Sequence, residues 1–191
     1  MTLDPRLMRG ETVQWQGQPD PRVHFTRTDS FFVPFSIFWL AFAVLWTVIV
    51  SNSPKAPPFI WLFGLLFVAI GIFMTVGRFF VKAATKRRTR YVLTDRRAIV
   101  TGPWGISSID LKDAAPLVMI RRGGLHVDAV FGMTTGPMSW MPGMDNLTMY
   151  ANTGMDFFAV LGPGLPVAFY DVSDIDTLRE ALALQKTSPS A

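Results

Sequence analysis

Two long uncharged runs dominate the pattern of hydrophobic and polar residues along the chain. The first extends from Phe31 to Val50 and the second from Phe59 to Gly77, and neither contains an ionisable side chain. A helix needs about 20 such residues to cross the hydrocarbon core of a bilayer. The pattern therefore predicts two transmembrane helices, at about 31–50 and 59–77, within a helical hairpin that occupies residues 29–82.

The segment between the runs predicts how the hairpin is oriented. Ser51–Pro58 has eight residues, three of them proline, and its only charge is Lys55. A connection this short makes the helices antiparallel and places both chain termini on the same side. Lysine and arginine are abundant outside the hairpin, and these residues are retained in the cytoplasm. We therefore expect a multi-pass protein of the cell (inner) membrane with cytoplasmic N- and C-termini.

Small residues form one stripe on each predicted span. They are Ser36, Ala43 and Thr47 on the first helix, and Gly64, Gly71 and Thr75 on the second. Small side chains allow two helix backbones to approach closely in lipid. The stripes predict a packing seam, which serves either the hairpin itself or association with another membrane protein.

Beyond residue 82 the pattern changes to short runs of β-branched and aromatic residues separated by turn residues. Leu117–Arg122 and Leu125–Phe131 flank Gly123-Gly124, which suits a tight hairpin turn with positive φ. Later apolar runs lie at Leu147–Ala151, Phe157–Leu161 and Pro166–Val172. This spacing predicts a small antiparallel β-barrel or sandwich over residues 83–186, rather than alternating βαβ units.

The end of the chain has helical periodicity instead. Ser173 and Asp176 fit a capping box, and Ile175, Leu178 and Leu182 then repeat at helical spacing. We expect a C-terminal helix that covers an open end of the β domain, followed by a tail at 187–191.

The N-terminal segment, residues 1–28, lies on the same side of the membrane as the β domain in this topology. Val13 and Trp15 alternate with polar neighbours, as in a half-buried strand. This segment is therefore predicted to add an edge strand to the β domain.

Three segments of the chain resemble the bacterial pleckstrin-homology (PH)-like membrane proteins. They are Arg90–Ile99 (RYVLTDRRAI) just after the paired spans, Glu11–Arg22 (ETVQWQGQPDPR), and Phe169–Val172 (FYDV) before a short helix. The resemblance implies a PH-type barrel with a C-terminal capping helix. The family offers no common ligand or reaction to transfer, and its motif residues are expected to be structural, with Asp95 in a turn between two strands.

Composition agrees with lipid contact, and charge identifies a candidate surface. Only 17% of residues are charged, against about a quarter in soluble domains, and the net charge is +4. A basic cluster follows the second span, and it consists of Lys82, Lys86, Arg87, Arg88 and Arg90. It either sets the topology alone or also binds anionic headgroups, at about 1 kcal/mol per charge. Nucleic acid is not expected, because these charges adjoin the membrane and no basic-aromatic stripe is present.

Residues for catalysis are sparse. The chain has no Cys, and its only histidines, His24 and His126, are far apart in sequence. Ser139, His126 and Asp128 could form a triad, but no Gly-x-Ser-x-Gly elbow is present. No phosphate loop or dinucleotide motif occurs either. We therefore predict no catalytic, cofactor-binding or metal-binding residue.

The resulting functional hypothesis is a non-enzymatic, membrane-anchored module. It would bind a protein partner, anionic lipid headgroups of the inner leaflet, or both. The alternative is an accessory subunit of a membrane enzyme or transport complex. The irregular stretch Met133–Asn146 holds four of the ten Met residues. It is interpreted either as a loop packed on the β domain or as an adaptable partner surface.

Overall fold

The computed structural model describes residues 7–22, 25, 29–57, 59–112, 116–120, 125–133, 150–161 and 166–187. Its two longest helices are the predicted apolar ones. Helix α1 (Asp29–Ser51) is followed by α2 (Ile60–Ile72), a π-helical turn (Phe73–Gly77) and α3 (Arg78–Arg88). The last three form one continuous helix of 29 residues, Ile60–Arg88. This helix extends eleven residues beyond the predicted second span, as α3.

Both long helices are long and apolar enough to cross a membrane. Only 11% of the most apolar window of each helix is buried inside the chain. The core helix of a soluble protein would be mostly buried, whereas these helices expose large aromatic and aliphatic side chains along their length. Extensive exposed apolar surface of this kind marks a site of contact with a membrane or with another protein. The helices therefore have the properties of membrane spans.

The predicted seam residues lie between the two spans at several points. Ser36 and Ala43 of α1 are buried, as are Gly64 and Gly71 of the second helix. A Cβ atom at Gly64 would lie 2.4 Å from Oγ1 of Thr47, so a side chain there would force the helices apart. The hairpin itself thus uses the close approach that glycine permits.

The remaining two seam residues are hydroxyl residues. Thr47 Oγ1 donates a hydrogen bond to the Ala43 carbonyl at 2.6 Å, and Thr75 Oγ1 donates to the Gly71 carbonyl at 2.8 Å. Each hydroxyl is therefore satisfied within its own helix, so neither leaves an unpaired donor in the apolar layer.

The β domain contains two antiparallel sheets among the described residues. The first sheet has the order β1-β2-β3-β4, and the second has the order β5-β6-β7. The strands are β1 (Val13–Gly17), β2 (Arg90–Thr94), β3 (Arg97–Gly102), β4 (Gly105–Asp110), β5 (Leu117–Ile120), β6 (Val127–Met133) and β7 (Pro166–Val172). A short helix, α4 (Asp156–Leu161), precedes β7, and α5 (Ile175–Thr187) follows it.

The membrane hairpin is inserted between two strands that pair with each other. Strand β1 precedes the hairpin and β2 follows it, and the two are antiparallel, with Gly17 opposite Tyr91. The N-terminal segment thus forms an edge of the first sheet. Both ends of the hairpin are consequently attached to the same sheet.

One hydrophobic core connects the sheets and the C-terminal helix. Phe169 of β7 lies at its centre, with its ring 4.8 Å from those of Tyr91 and Phe131 and 5.5 Å from that of Trp15. Leu178 of α5 is fully buried in the same cluster. The antiparallel sheets and the C-terminal helix confirm the coarse fold prediction. Neither sheet closes on itself among the described strands, so a closed barrel is not formed by them.

The motif segments that carry the family resemblance contact each other. The turn at Asp95 and Arg96 separates β2 from β3, as predicted. The Glu11 carboxylate accepts hydrogen bonds from Arg97 Nε at 2.8 Å and Nη2 at 2.9 Å, and from Thr94 Oγ1 at 2.8 Å. The Arg97 hydrogen bond is the main cause that lowers the pKa of Glu11 to about 2. These hydrogen bonds hold the segment before β1 against the turn between β2 and β3.

One of the predicted β segments is a helix, and most of a second lies outside the described residues. Phe157–Leu161, predicted as a strand, lies in helix α4, since five apolar residues are too few for periodicity to distinguish a strand from a helix. Of Leu147–Ala151, the described residues Tyr150 and Ala151 lie in a turn. The Gly123-Gly124 turn lies outside the described residues, although the strands that it joins pair as predicted. Met133 ends β6, and the rest of the Met-rich stretch lies outside the described residues.

Candidate functional site at the base of the membrane hairpin

Helix α3 carries a stripe of buried basic residues where the second long helix meets the β domain. Arg78, Lys82 and Lys86 follow each other at intervals of four residues. This spacing places their side chains on one face of a helix. All three are almost completely buried, with 0%, 1% and 4% exposure. Buried cations require partners, and the structure provides acidic ones.

Asp29 is the acidic partner at the membrane end of the stripe. Its Oδ1 lies 2.5 Å from Arg78 Nη1, and its Oδ2 lies 3.4 Å from Lys82 Nζ. Asp29 is in the first turn of α1, where negative charge is also favoured by the helix dipole. The contact joins the first residue of one long helix to the far half of the other. It therefore closes the open end of the hairpin.

The Arg78 guanidinium is enclosed by aromatic rings. Its central carbon lies 4.4 Å from the ring centre of Phe79 and 5.7 Å from that of Phe32. No described residue accepts a hydrogen bond from its Nε or Nη2. Contacts with ring faces stabilise a cation but do not replace these hydrogen bonds. The charge of Arg78 is thus balanced mainly by Asp29.

Lys86 connects the other end of the stripe to the β domain. Its Nζ lies 2.5 Å from Asp171 Oδ2 and donates a hydrogen bond to the Arg22 carbonyl at 3.0 Å. The Asp171 N–H donates to Asp128 Oδ1 at 2.7 Å, and the Asp171 carbonyl accepts from the Asp20 N–H at 2.9 Å. Asp171 therefore joins α3 to β6, β7 and the segment after β1.

Asp171 has an unusual backbone conformation for this role. Its φ is +54°, and the pairing of β6 with β7 shifts register between Val127 and Ala129, opposite this part of β7. Left-handed conformations in residues other than glycine are sparsely populated and persist when their surroundings fix them. The ion pair and backbone hydrogen bonds of Asp171 supply such fixing contacts.

A tight turn supports α3 from the side. Gly154 has φ +87°, and a Cβ atom there would lie within 2 Å of the Arg78 carbonyl oxygen, closer than any contact allows. Asn152 donates its N–H to Asp156 Oδ1 at 2.6 Å and its side-chain amide to Asp171 Oδ2 at 3.3 Å. Burial raises the pKa of the Asp156 carboxyl. Only glycine permits this close approach of the turn to the helix.

A narrow cleft runs between α3 and the two sheets. Its volume is about 80 Å³, and its lining includes Lys82, Lys86, Trp104, Asp156 and Tyr170. Both lysine ammonium groups are engaged by carboxylates, so neither is available as a free base or nucleophile. In the part of the chain that the structure describes, no three His, Asp or Glu side chains gather at a potential metal site. The cleft therefore presents packing and ion pairs rather than a recognisable catalytic set.

The structure divides the predicted basic cluster into two groups. Lys82 and Lys86 are buried, and their ammonium groups face the carboxylates of Asp29 and Asp171. Arg87, Arg88 and Arg90 are exposed. The physical reason is helix geometry, since residues 82 and 86 share the inner face of α3 whereas 87 and 88 project elsewhere.

Sequence reasoning missed the acidic partners. Asp29 and Asp171 have no role in the site predicted from sequence, and Arg78 is absent from the predicted basic cluster. The interval of four between Arg78, Lys82 and Lys86 was an available signal for a common face. Asp29, the acidic residue at the start of the first long helix, was a second available signal.

Of the two histidines, only His126 lies in the part of the chain that the structure describes. His24 and Ser139 lie outside the described residues. His126 Nε2 lies 2.9 Å from Asp20 Oδ2, and Asp128 accepts the Asp171 N–H. These contacts hold the ends of strands together. Comparisons of the chain with family models, curated proteins and solved structures gave no match.

Proposed function

We propose that this chain is a non-enzymatic, membrane-anchored PH-like module of the bacterial inner membrane that binds anionic lipid headgroups at the cytoplasmic face. The observation that carries the proposal is the rigid attachment of the β domain to the base of the hairpin. The strand order, four strands then three, with a C-terminal helix over the core, supports the PH-like assignment.

The attachment uses contacts of three kinds. Asp29 and Arg78 join the two long helices, Lys86 and Asp171 join α3 to β7, and the Gly154 turn abuts the α3 backbone. Breaking a buried ion pair is strongly unfavourable, so these contacts resist separation of the domain from its anchor. The β domain is consequently held at a fixed position close to the bilayer.

The exposed arginines lie within electrostatic reach of the headgroups in this arrangement. The helix Ile60–Arg88 is about 43 Å long at 1.5 Å per residue, whereas the hydrocarbon core is about 30 Å thick. With Ile60 at the far edge of the hydrocarbon, Arg88 lies about 13 Å beyond the near edge. The headgroup layer occupies roughly 5–7 Å of that distance. The remainder is within one Debye length, about 8 Å at physiological salt.

Lipid retention by the purified protein tests the headgroup hypothesis. Native mass spectrometry would count phosphatidylglycerol and phosphatidylcholine bound from mixed micelles. We expect a preference for phosphatidylglycerol that decreases with salt. At about 1 kcal/mol per charge, each arginine contributes roughly a fivefold preference. The variant Arg87→Gln/Arg88→Gln/Arg90→Gln should lose it, whereas Arg96→Gln, an exposed arginine of the β2–β3 turn, should retain it. Equal retention by the triple variant and the wild type would remove the hypothesis.

Reporter fusions test the orientation. A fusion at residue 55 should report the periplasmic side and one at residue 120 the cytoplasmic side, because Lys55 is the single charge in the connection between the helices. The reverse pattern would overturn the placement of the β domain in the cytoplasm.

A protein partner is favoured by a separate observation. Every side chain of β5 is apolar and exposed, from Val118 at 37% to Leu117 at 62%. Exposed apolar strands at sheet edges are common sites of strand addition. Crosslinking in intact membranes followed by purification should recover a partner through β5. Turnover or ion flux by the purified protein alone would contradict the non-enzymatic assignment.

A further inference from the structure

Helix α4 is joined to the first turn of α1 by a series of aromatic rings. The ring of Phe158 on α4 lies 5.2 Å from that of Tyr150, and the Tyr150 ring stacks on Phe32 at 5.3 Å. Phe32 is buried in this contact, whereas its neighbour Phe31 is exposed on the outer surface of the long helix. The segment Tyr150–Leu161 is therefore packed directly on the hairpin.

The level of this contact along the hairpin follows from α3. The Gly154 turn touches the backbone of Arg78. Phe80 lies two residues further from the membrane centre, about 3 Å along the axis, and is 73% exposed. The helix thus still presents a large apolar side chain to its surroundings beyond the level at which the turn makes contact. A bilayer that covers Phe80 also reaches the level of Tyr150 and α4.

Phe158 on α4 is also an exposed aromatic residue. Its side chain is 41% exposed. Helix α4 is six residues long and starts at the buried Asp156. A helix this short is not stable by itself and depends on its packing. Phenylalanine is one of the residues found on the apolar face of helices that lie in the membrane interface.

We propose that α4 lies in the boundary between headgroups and acyl chains, as a third membrane contact of the protein, with Phe158 in contact with lipid. The inference rests on the membrane anchoring within the proposed function and adds a lipid-facing element of the β domain. The series of ring contacts from Phe158 through Tyr150 and Phe32 to the exposed Phe31 favours lipid as the occupant over another protein. The contact fixes which side of the β domain faces the bilayer.

Site-directed spin labelling tests this directly, because the chain has no native cysteine. The single variants Phe158→Cys, Phe80→Cys and Arg96→Cys would be labelled with a nitroxide in proteoliposomes. Collision rates with oxygen and with a water-soluble nickel complex report lipid and water exposure. We expect oxygen-to-nickel ratios for positions 158 and 80 that are several-fold higher than the ratio at 96.

The controls separate the inference from the anchoring on which it rests. A ratio at 158 like that at 96, with 80 in lipid, would overturn the α4 contact and leave the anchor intact. A ratio at 80 like that at 96 would overturn the anchor itself. Low collision rates with both reagents at 158 would place a protein over α4 and also overturn the inference. As a second readout, Phe158→Trp should show additional fluorescence quenching by lipids brominated near the glycerol; unchanged quenching would contradict the proposal.

Discussion

Replacing Asp29 by asparagine should destabilise the protein strongly. Asn has nearly the same shape as Asp, so the packing between α1 and α3 is preserved while the negative charge is removed. Arg78 and Lys82 then remain buried next to each other without the carboxylate that contacts both. Removing one partner of a buried ion pair typically costs about 3–5 kcal/mol.

The structure places the expected loss in the upper half of that range. Nη1 is the guanidinium nitrogen of Arg78 that contacts Asp29, and Nε and Nη2 have no acceptor among the described residues. Without the carboxylate, the cation keeps only the faces of aromatic rings, which compensate poorly for a lost charged partner. A loss of about 4 kcal/mol corresponds to a decrease of roughly 8–16 °C in Tm for a chain of this size.

The assay is thermal unfolding of the purified protein in lipid nanodiscs, followed by near-ultraviolet circular dichroism. Asp176→Asn is the matched control, because Asp176 is also in the first turn of a helix but is exposed. Both substitutions lose a favourable helix-dipole interaction, worth about 0.3–1 kcal/mol. Only Asp29→Asn also removes a carboxylate that pairs with buried cations. Equal decreases in Tm would refute the reasoning.

A second variant separates charge from packing. In Asp29→Asn/Arg78→Met the buried cation is removed together with its partner, and the methionine side chain remains compatible with the surrounding rings. Replacing a whole buried pair by apolar groups is often close to neutral. The double variant should therefore be more stable than Asp29→Asn alone. If it is less stable, the pair is not the origin of the loss.

The remaining predictions concern the contacts that hold the β domain. Gly154→Ala should lower the unfolding free energy by roughly 3 kcal/mol or more, because its Cβ overlaps the Arg78 carbonyl. Gly10 has a similar φ of +77°, but a Cβ atom there would meet open space, so Gly10→Ala should lower the unfolding free energy by only about 1–2 kcal/mol. If chemical denaturation gave similar losses for the two variants, the overlap at Gly154 would be contradicted. Glu11 has a pKa of about 2, against 4.5 when unperturbed. The stability from its pairing with Arg97 is fully present above pH 4.5 and is lost as the pH falls towards 2, by at most about 3 kcal/mol. In Glu11→Gln the unfolding free energy should depend less on pH in this range. If the dependence is unchanged, Glu11 is not its cause.

The apolar helices could be predicted from sequence because their signal is local and redundant. Each run has about twenty uncharged residues, so no single position decides the assignment. The strands β2, β3, β6 and β7 were similarly indicated by β-branched and aromatic residues between turns. The run at Phe157–Leu161 has the same composition but forms α4. In the structure this helix follows Gly154, which contacts Arg78, and packs on Tyr150, and neither contact is visible in a window of six residues.

The candidate site was less predictable because its contacts are distant in sequence. Asp29 reaches Arg78 and Lys82 only after the hairpin closes, and Asp171 reaches Lys86 only after β7 is in place. The predicted basic cluster groups residues because they are close in sequence, but helix α3 directs their side chains to different sides. Periodicity could have separated the inner face of α3 from the outer arginines, but no local pattern identifies the acids that they meet.

The basic residues after the second span are interpreted both as signals that set the topology and as residues that attach the β domain. The two roles are compatible because they apply at different times. Topology is set while the helices insert, when Lys82 and Lys86 count as unpaired positive charges. Asp171 lies much later in the chain, so its pairing with Lys86 forms only once the β domain folds. In the orientation that we propose, the same lysines first retain this end of the helix in the cytoplasm and afterwards attach the folded domain to it. After folding, the exposed positive charge at this end of α3 is that of Arg87, Arg88 and the following Arg90. A test of headgroup binding consequently has to vary these arginines, because substituting the lysines would disrupt the attachment of the domain as well.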